Sequence, residues 1–392
     1  MRFEGLEQLG PVLEALPGPA YLVGGAVRDL LLYRPGFDVD LVVVGDAEAY
    51  AEALAQRLDG RVVQHGRFGT AVVHHGDGEH LDVAMARTET YPEPGALPEV
   101  APAATIEDDL GRRDFTINAM AVGLPDRELI DPFSGRSHLA DRLVRVLHEG
   151  SFVDDPTRIF RAAQYEGRLG FRMDPKTETL ALMAVPEVGR LSGARVRQEL
   201  LAILAEERAA EILARLHQLG VDAALHPELE FSGDGAVLQR LRLLAAQYAP
   251  KPEWELGLLA LEPPPGWLDE LKFARPVVTR VDEAVAQAPA LRARLRGRVL
   301  DPAEIVDAVE QTGPDTPLLA LAQEDLPALH DYFRRLRDVQ VELTGDDLAA
   351  LGLGESPRVG EVLAELRRRK LNGALDSRAA EIAAARELIA GA

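Results

Sequence analysis

The stretch FDVDLVVVGD, residues 37–46, constrains this chain more than any other. Val39 to Val44 reads as a buried strand, yet Asp38 and Asp40 stand two positions apart at its start. Side chains alternate across a strand, so both carboxylates are expected on one face. Like charges so close repel unless a cation lies between them. Such a pair can hold divalent cations against a triphosphate, because magnesium prefers hard oxygen ligands and completes its shell with phosphate oxygens. Two such ions activate an attacking hydroxyl and stabilise a leaving pyrophosphate. A third carboxylate is needed from a neighbouring strand, and HLDVAM offers Asp82 between Leu81 and Val83. Taken alone, Asp38 reads equally well as a residue of the turn that enters the strand.

A triphosphate also needs a cradle. LVGGAVRD closes a strand in Gly24-Gly25 and then opens a helix carrying Arg28 and Asp29. Glycines let the backbone approach phosphate, a helix N-terminus offers free N–H groups, and Arg28 can add a charge-assisted contact. A tight turn explains the glycines equally well. In GRRDFTINAMA, Arg112 and Arg113 would face opposite ways on extended chain, so one of them is expected to meet a nucleotide. Asp114 and Asn118 suit ribose hydroxyls or the arginines themselves; a solvated charged turn is the plain alternative. In SFVDDPTRIFRA, Asp155 is expected to cap a helix with Pro156 in its first turn. Arg158 and Arg161 follow at three-residue steps and share a face with Asp155. A carboxylate acceptor beside a guanidinium fork matches the edge of a base, although a capped helix with surface ion pairs also fits.

Composition places these motifs without identifying a partner. The 392 residues allow two or three domains, and no apolar run approaches the about 18 residues of a membrane span. There is no cysteine and no signal-peptide pattern, so a cytoplasmic protein without disulfides is expected. The net charge of -21 argues against a strongly basic nucleic-acid binder, but it is unevenly spread. Residues 1–111 carry 7 Lys+Arg against 19 Asp+Glu, residues 112–215 carry 16 of each, and residues 216–392 carry 20 against 29. The middle segment can therefore form a local arginine-lined surface. His74, His75 and His80 flank a hairpin tip and lack metal-ligand spacing.

The fold expected is α+β, a small mixed sheet in an N-terminal head followed by an all-helical remainder. Strands are expected at 20–23, 39–44, 61–65, 70–75 and 80–85, with helices at 26–34 and 47–58. YPEPGALPEVAPA, with four prolines, is expected to be an irregular loop. Proline-rich breaks at 252–267 and 311–317 are expected to divide the C-terminal helices into at least two subdomains.

The ordered strings LVGGAVRDLLL, DVDLVVVG, RRDFTINAMA, IDPFSGRSHLADRLVRVL and DDPTRIFRA resemble the class II tRNA nucleotidyltransferase and bacterial poly(A) polymerase family. The resemblance covers about residues 20–171, with RLSGARVRQELLAIL and, in outline, residues 343–373 behind it. It implies a nucleotidyltransferase head at 1–137, a helical neck with a base-reading helix at 138–205, and a tRNA-binding body and tail at 206–392. The enzyme implied adds nucleotides to a tRNA 3′ end without a nucleic-acid template, using Mg2+ and ATP, with CTP as a possible second substrate. Asp38 and Asp40 would hold metal, with Asp82 as the third catalytic carboxylate. Gly24, Gly25, Arg28 and Asp29 would serve the triphosphate, and Arg112, Arg113, Asp114 and Asn118 the ribose and phosphates. Asp155 and Arg158 would read the base, with Arg161 nearby.

Three departures bear on the nucleotide. CCA-adding members usually begin the base-reading motif with Glu-Asp, where this chain has Asp154-Asp155. They usually carry another arginine where Gln164 stands. Their loop after the third carboxylate typically holds Arg-Arg-Pro, whereas this one reads PEPGALPEV at nearly full length, which disfavours CC-only addition. VRVLHEGSFVDDPTRIFRA looks more like the A-adding branch, so A addition ranks first, CCA addition second and poly(A) synthesis third. Small-molecule nucleotidyltransferases lack RRDFTINA, and a catalytically silent RNA-binding protein would not need Asp38, Asp40 and Asp82.

Overall fold

The computed structural model describes residues 6, 10–34, 39–65, 69–76, 79–231 and 235–390. The chain divides into two compact units, Met1–Pro227 and Glu228–Ala392.

The first unit opens with α1 (Gly10–Ala15), β1 (Ala20–Val23), α2 (Gly25–Leu31), β2 (Asp40–Val43), α3 (Ala47–Arg57), β3 (Arg61–His65), β4 (Thr70–His75) and β5 (Glu79–Met85). After the hairpin of β6 (Arg87–Thr90) and β7 (Glu99–Pro102) come α4 (Ile106–Gly111), β8 (Ala121–Leu124), β9 (Glu128–Ile130) and α5 (Gly135–Ala140). Seven strands form one mixed sheet in the order β3-β4-β5-β2-β1-β8-β9. Its middle strand is β2, parallel to β5 and antiparallel to β1, and this position explains its apolar run: Leu41, Val42 and Val43 are all buried. β5 instead alternates, with Leu81 and Val83 buried and Asp82 exposed between them. The register sets Asp40 directly opposite Asp82, so two carboxylates from parallel strands share one face.

Gly24 links β1 to α2 at φ 65 and ψ -124, backbone that only glycine adopts without strain. α3 is capped by Asp46, whose side chain accepts from the Ala49 amide, and it packs on β3 and β4. α4 starts in a capping box of Thr105 and Asp108. The proline-bearing segment 91–103 is more ordered than expected, because Glu99–Pro102 pairs with Arg87–Thr90. Pro102 ends that two-stranded ribbon, where a missing N–H is tolerated.

The rest of the first unit is helical: α6 (Ser151–Asp154), α7 (Thr157–Leu169), α8 (Pro175–Ala184), α9 (Gly193–Leu204) and two further helices up to Leu225. One short addition is the parallel pairing of Leu143–Val144 with Arg172–Met173. The second unit is all helical among its described residues. Both proline-rich stretches, 252–267 and 311–317, lie inside this unit, and they do not interrupt helices. Pro252 and Pro317 instead stand at the starts of the helices Glu253–Leu261 and Thr316–Gln323, where no intrahelical N–H is lost. None of the described helices is long and apolar enough to cross a membrane.

Candidate active site

The site lies within the first unit, at a cavity of about 470 Å3 lined by Gly24, Gly25 and Asp40 on one side and by Asp155, Arg158 and Arg161 on another. Arg112, Arg113, Asp114 and Asn118, also expected from sequence, line it too. Asp82 is not part of the lining and stands beside Asp40 in the sheet. Asp38 lies outside the described residues. Among the described residues no group of three His, Cys, Asp or Glu side chains is gathered for a metal ion. Asp40 and Asp82 by themselves are a pair of hard oxygen donors in register, and that donor set suits a divalent cation.

Both arginines of the RRD motif line the cavity, where extended chain would turn them opposite ways. Arg112 is the C-cap of α4 (φ -86, ψ -11) and not extended chain, so the two side chains fan out from one anchor. That anchor is Asp109, fully buried, whose Oδ1 accepts from Arg112 Nε at 2.9 Å and whose Oδ2 accepts from Arg113 Nη2 at 2.9 Å. Burial pushes the Asp109 carboxyl up, but Arg112, Arg113 and the Arg87 amide outweigh it and hold it below the usual range. Arg113 lies against Gly24, where a Cβ would stand 2.5 Å from its Nη1. Gly24 is thus required by its backbone and by the arginine above it.

Arg28 and Asp29 do not line the cavity. Arg28 is buried, donating from Nη1 to Asn118 Oδ1 at 2.7 Å and from Nε and Nη2 to the Asp29 carboxylate at 2.9 and 2.8 Å. Asp114 is also buried and fully engaged. Its Oδ2 accepts both Nε and Nη2 of Arg161 at 2.8 and 2.6 Å, and its Oδ1 accepts from Asn118 Nδ2 and the Phe115 amide. Burial again raises the Asp114 carboxyl, and Arg161 with Asn118 more than reverses the shift. The same pairing holds Arg161 firmly protonated.

Asp155 is extended between α6 and α7, and its Oδ1 takes the Thr157 amide at 3.1 Å as a helix cap should. Arg158 is buried, donating from Nη1 to Ser151 Oγ at 2.6 Å and from Nη2 to the Arg112 carbonyl at 2.8 Å. Gln164, where an arginine was expected by resemblance, donates to Glu206 Oε1 at 2.9 Å.

Several residues of the site escaped sequence reasoning. Asp109 precedes Arg112 and Arg113 by three and four residues, the spacing of neighbours on a helix, and could have been found that way. Tyr165 lies four residues after Arg161; its ring is 5.3 Å from the Arg28 guanidinium and 6.0 Å from that of Arg161. Glu89, Tyr91, Arg195 and Glu199 also line the cavity; Arg195 and Glu199 belong to the RLSGARVRQELLAIL string, while no local pattern marks Glu89 and Tyr91. Burial pushes the Tyr91 hydroxyl up to about 12. Burial likewise pushes the Glu199 carboxyl up to about 7, with Arg161 opposing.

Residues 20–145 match the Poly A polymerase head domain, and residues 170–232 match the probable RNA and SrmB-binding site of polymerase A. A-adding tRNA nucleotidyltransferase of Geobacter sulfurreducens is 35% identical over 94% of this chain, which spans 45% of that relative's length. The A-adding tRNA nucleotidyltransferase of Halalkalibacterium halodurans is 33% identical, covering 97% of this chain and 91% of its own. A CC-adding tRNA nucleotidyltransferase of Deinococcus radiodurans is 34% identical over 91% of this chain and 86% of its own. Among solved structures, an apo form of a CCA-adding enzyme superposes with a TM-score of 0.85 at 32% identity, covering 98% of this chain and 94% of its own. By the match of its head, by near full-length relatives and by shared fold, the chain belongs to the class II tRNA nucleotidyltransferase and bacterial poly(A) polymerase family.

Proposed function

We propose that this protein adds the terminal A to tRNA ending in CC, taking AMP from ATP and releasing pyrophosphate, without a nucleic-acid template. The observation that carries the reading is one cavity lined by Asp40, by the paired arginines of the RRD motif and by the Asp155–Arg158 step of α7. Metal-side carboxylate, phosphate-side cations and a base-sized donor and acceptor pair therefore face the same space. A preference for A over CCA or CC addition is supported by the wording around Asp155 and by the two A-adding relatives. The full CCA-adding reading stands second, supported by the likeness to a CCA-adding enzyme.

Divalent metal use comes with the family, and we assign Mg2+ to Asp38 and Asp40, with Asp82 beside them as the third catalytic carboxylate. When bound, Mg2+ would lower the pKa of the tRNA 3′-hydroxyl and neutralise charge on the leaving pyrophosphate. The remaining roles belong to the chain. Arg112 and Arg113, held in place by Asp109, meet the triphosphate. Asp155 accepts from the exocyclic amino group of the base and Arg158 donates to its ring nitrogen. Asp114 holds Arg161 at the nucleotide, and Arg28, fixed by Asp29, supports Asn118 from behind the cavity.

The division of labour in this reading is a catalytic head at 1–137, a base-reading neck at 138–205 and a tRNA-holding body and tail at 206–392. Cytoplasmic action belongs to the same proposal, supported by a chain without cysteine. The test supplies one labelled NTP at a time with Mg2+ to tRNAs ending before the first C, at CC or at CCA. Incorporation of ATP alone, and only into the CC-ending tRNA, is expected. CTP incorporation moves the assignment to CCA or CC addition, and ATP chains on the complete tRNA move it to poly(A) synthesis. No incorporation of any nucleotide leaves a silent RNA-binding protein.

A further inference from the structure

Asp155 is not held by its helix cap alone. Its Oδ1 accepts three donors: the Thr157 amide at 3.1 Å, Thr157 Oγ1 at 2.6 Å and Arg195 Nη2 at 2.6 Å. Among the described residues no hydrogen bond reaches Oδ2. The other arm of the same guanidinium, Arg195 Nη1, donates to the Gly95 carbonyl at 2.8 Å and to that of Ala96 at 3.4 Å. Arg195 comes from α9, forty residues beyond Asp155 and a hundred beyond Gly95. The paired side chains are 19% and 17% exposed, sheltered enough for the ion pair to direct geometry.

We infer that Arg195 is a positioning residue for base selection, acting through Asp155, with the Gly95 and Ala96 carbonyls as its second anchor. A guanidinium is planar, so holding Nη1 on two backbone carbonyls sets the direction in which Nη2 points. A carboxylate is planar too, so engaging Oδ1 from two sides sets the direction of Oδ2. One oxygen of Asp155 is consumed by protein donors and the other is left for the cavity. Thr157 restrains Oδ1 from the α7 side only, and Arg195 supplies the opposing restraint, so Oδ2 is the acceptor left to face the cavity. An acceptor held in one orientation discriminates against bases that present a carbonyl at the same edge, because the two acceptors are left unpaired.

The inference rests on the nucleotidyl-transfer reading, so its test uses a ratio that survives a change of favoured nucleotide. The quantity is kcat/KM for the favoured nucleotide divided by kcat/KM for GTP on tRNA ending in CC. Arg195→Ala is expected to lower this ratio about tenfold or more, and Asp155→Ala at least as far. The double variant is expected to fall no further than Asp155→Ala alone, since residues acting as one unit are not additive. A ratio unchanged in Arg195→Ala, or losses that multiply in the double variant, overturns the inference. A merely structural role lowers activity toward all nucleotides alike and leaves the ratio where it was. Should Arg195→Ala not fold, Arg195→Lys keeps the charge without the fork; it is expected to lower the ratio about threefold or more, and a wild-type ratio overturns the inference. If the wild type transfers no nucleotide at all, the proposed function fails while the inference is still tested. Calorimetric binding of ATP and GTP then supplies the ratio, and equal affinity for both in the wild type overturns it.

Discussion

The cavity of the first unit and the last helices of the second use the same residue type in opposite ways. Around the cavity, Arg112, Arg113 and Arg161 are held by Asp109 and Asp114, carboxylates that are buried themselves. In the helix Arg358–Leu371 the run Arg367-Arg368-Arg369 pairs with Glu310, Asp307 and Glu365, mostly at the surface. The sequence run alone would rank the second as the stronger cationic patch. Burial reverses the ranking: a sheltered pair gives its arginine one orientation, while an exposed pair leaves it screened and mobile. Arginine count is therefore a poor guide to a phosphate site, and the burial of the counter-ion is a better one.

Asp40→Ala should show the largest effect, a loss of transfer of about ten-thousandfold, roughly 5 kcal/mol of barrier, with the circular dichroism of the fold retained. Retained activity would remove the metal-side role of the cavity. Asp109→Ala comes next, because it strands two arginines at once. Its unfolding free energy in urea should drop by about 3–5 kcal/mol. A loss no greater than that of a surface pair would break the contrast drawn from burial.

Glu199 sharpens the contrast from the acid side. Its carboxyl is raised from 4.5 to about 7 by burial, so the folded state binds its proton more tightly than the unfolded state does. Stability from this group is fully present below pH 4.5 and is lost as pH rises through about 7. Glu199→Gln should flatten that slope and stabilise the protein above neutrality by on the order of 2 kcal/mol, read from urea curves at several pH values. A slope unchanged by the substitution would assign the pH dependence to other groups. Arg368→Ala, at a pair whose side chains are 49% and 51% exposed, should shift unfolding by no more than about 0.5 kcal/mol.

Much of the site was legible because its signals are local. The burial of Leu41 to Val43, the glycine turn before α2 and the cap at Asp155 are each written within a few residues. Asp109 is equally local, three and four residues before the arginines it holds. The expectation that Arg112 and Arg113 face opposite ways assumes extended chain, whereas Arg112 is the αR C-cap of α4 and both side chains turn back to Asp109.

By itself the sequence determined the alternation of strands and helices in the head, the pair of carboxylate-bearing strands and the family to which the motifs point, since periodicity, turn chemistry and motif spacing act over short distances. Only the tertiary structure decided that Asp40 stands opposite Asp82, that Asp114 holds Arg161 and that Arg195 joins Asp155 to Gly95. Those pairs lie between 40 and 100 residues apart in the chain. Packing brings them together, and no local preference of either partner records the other.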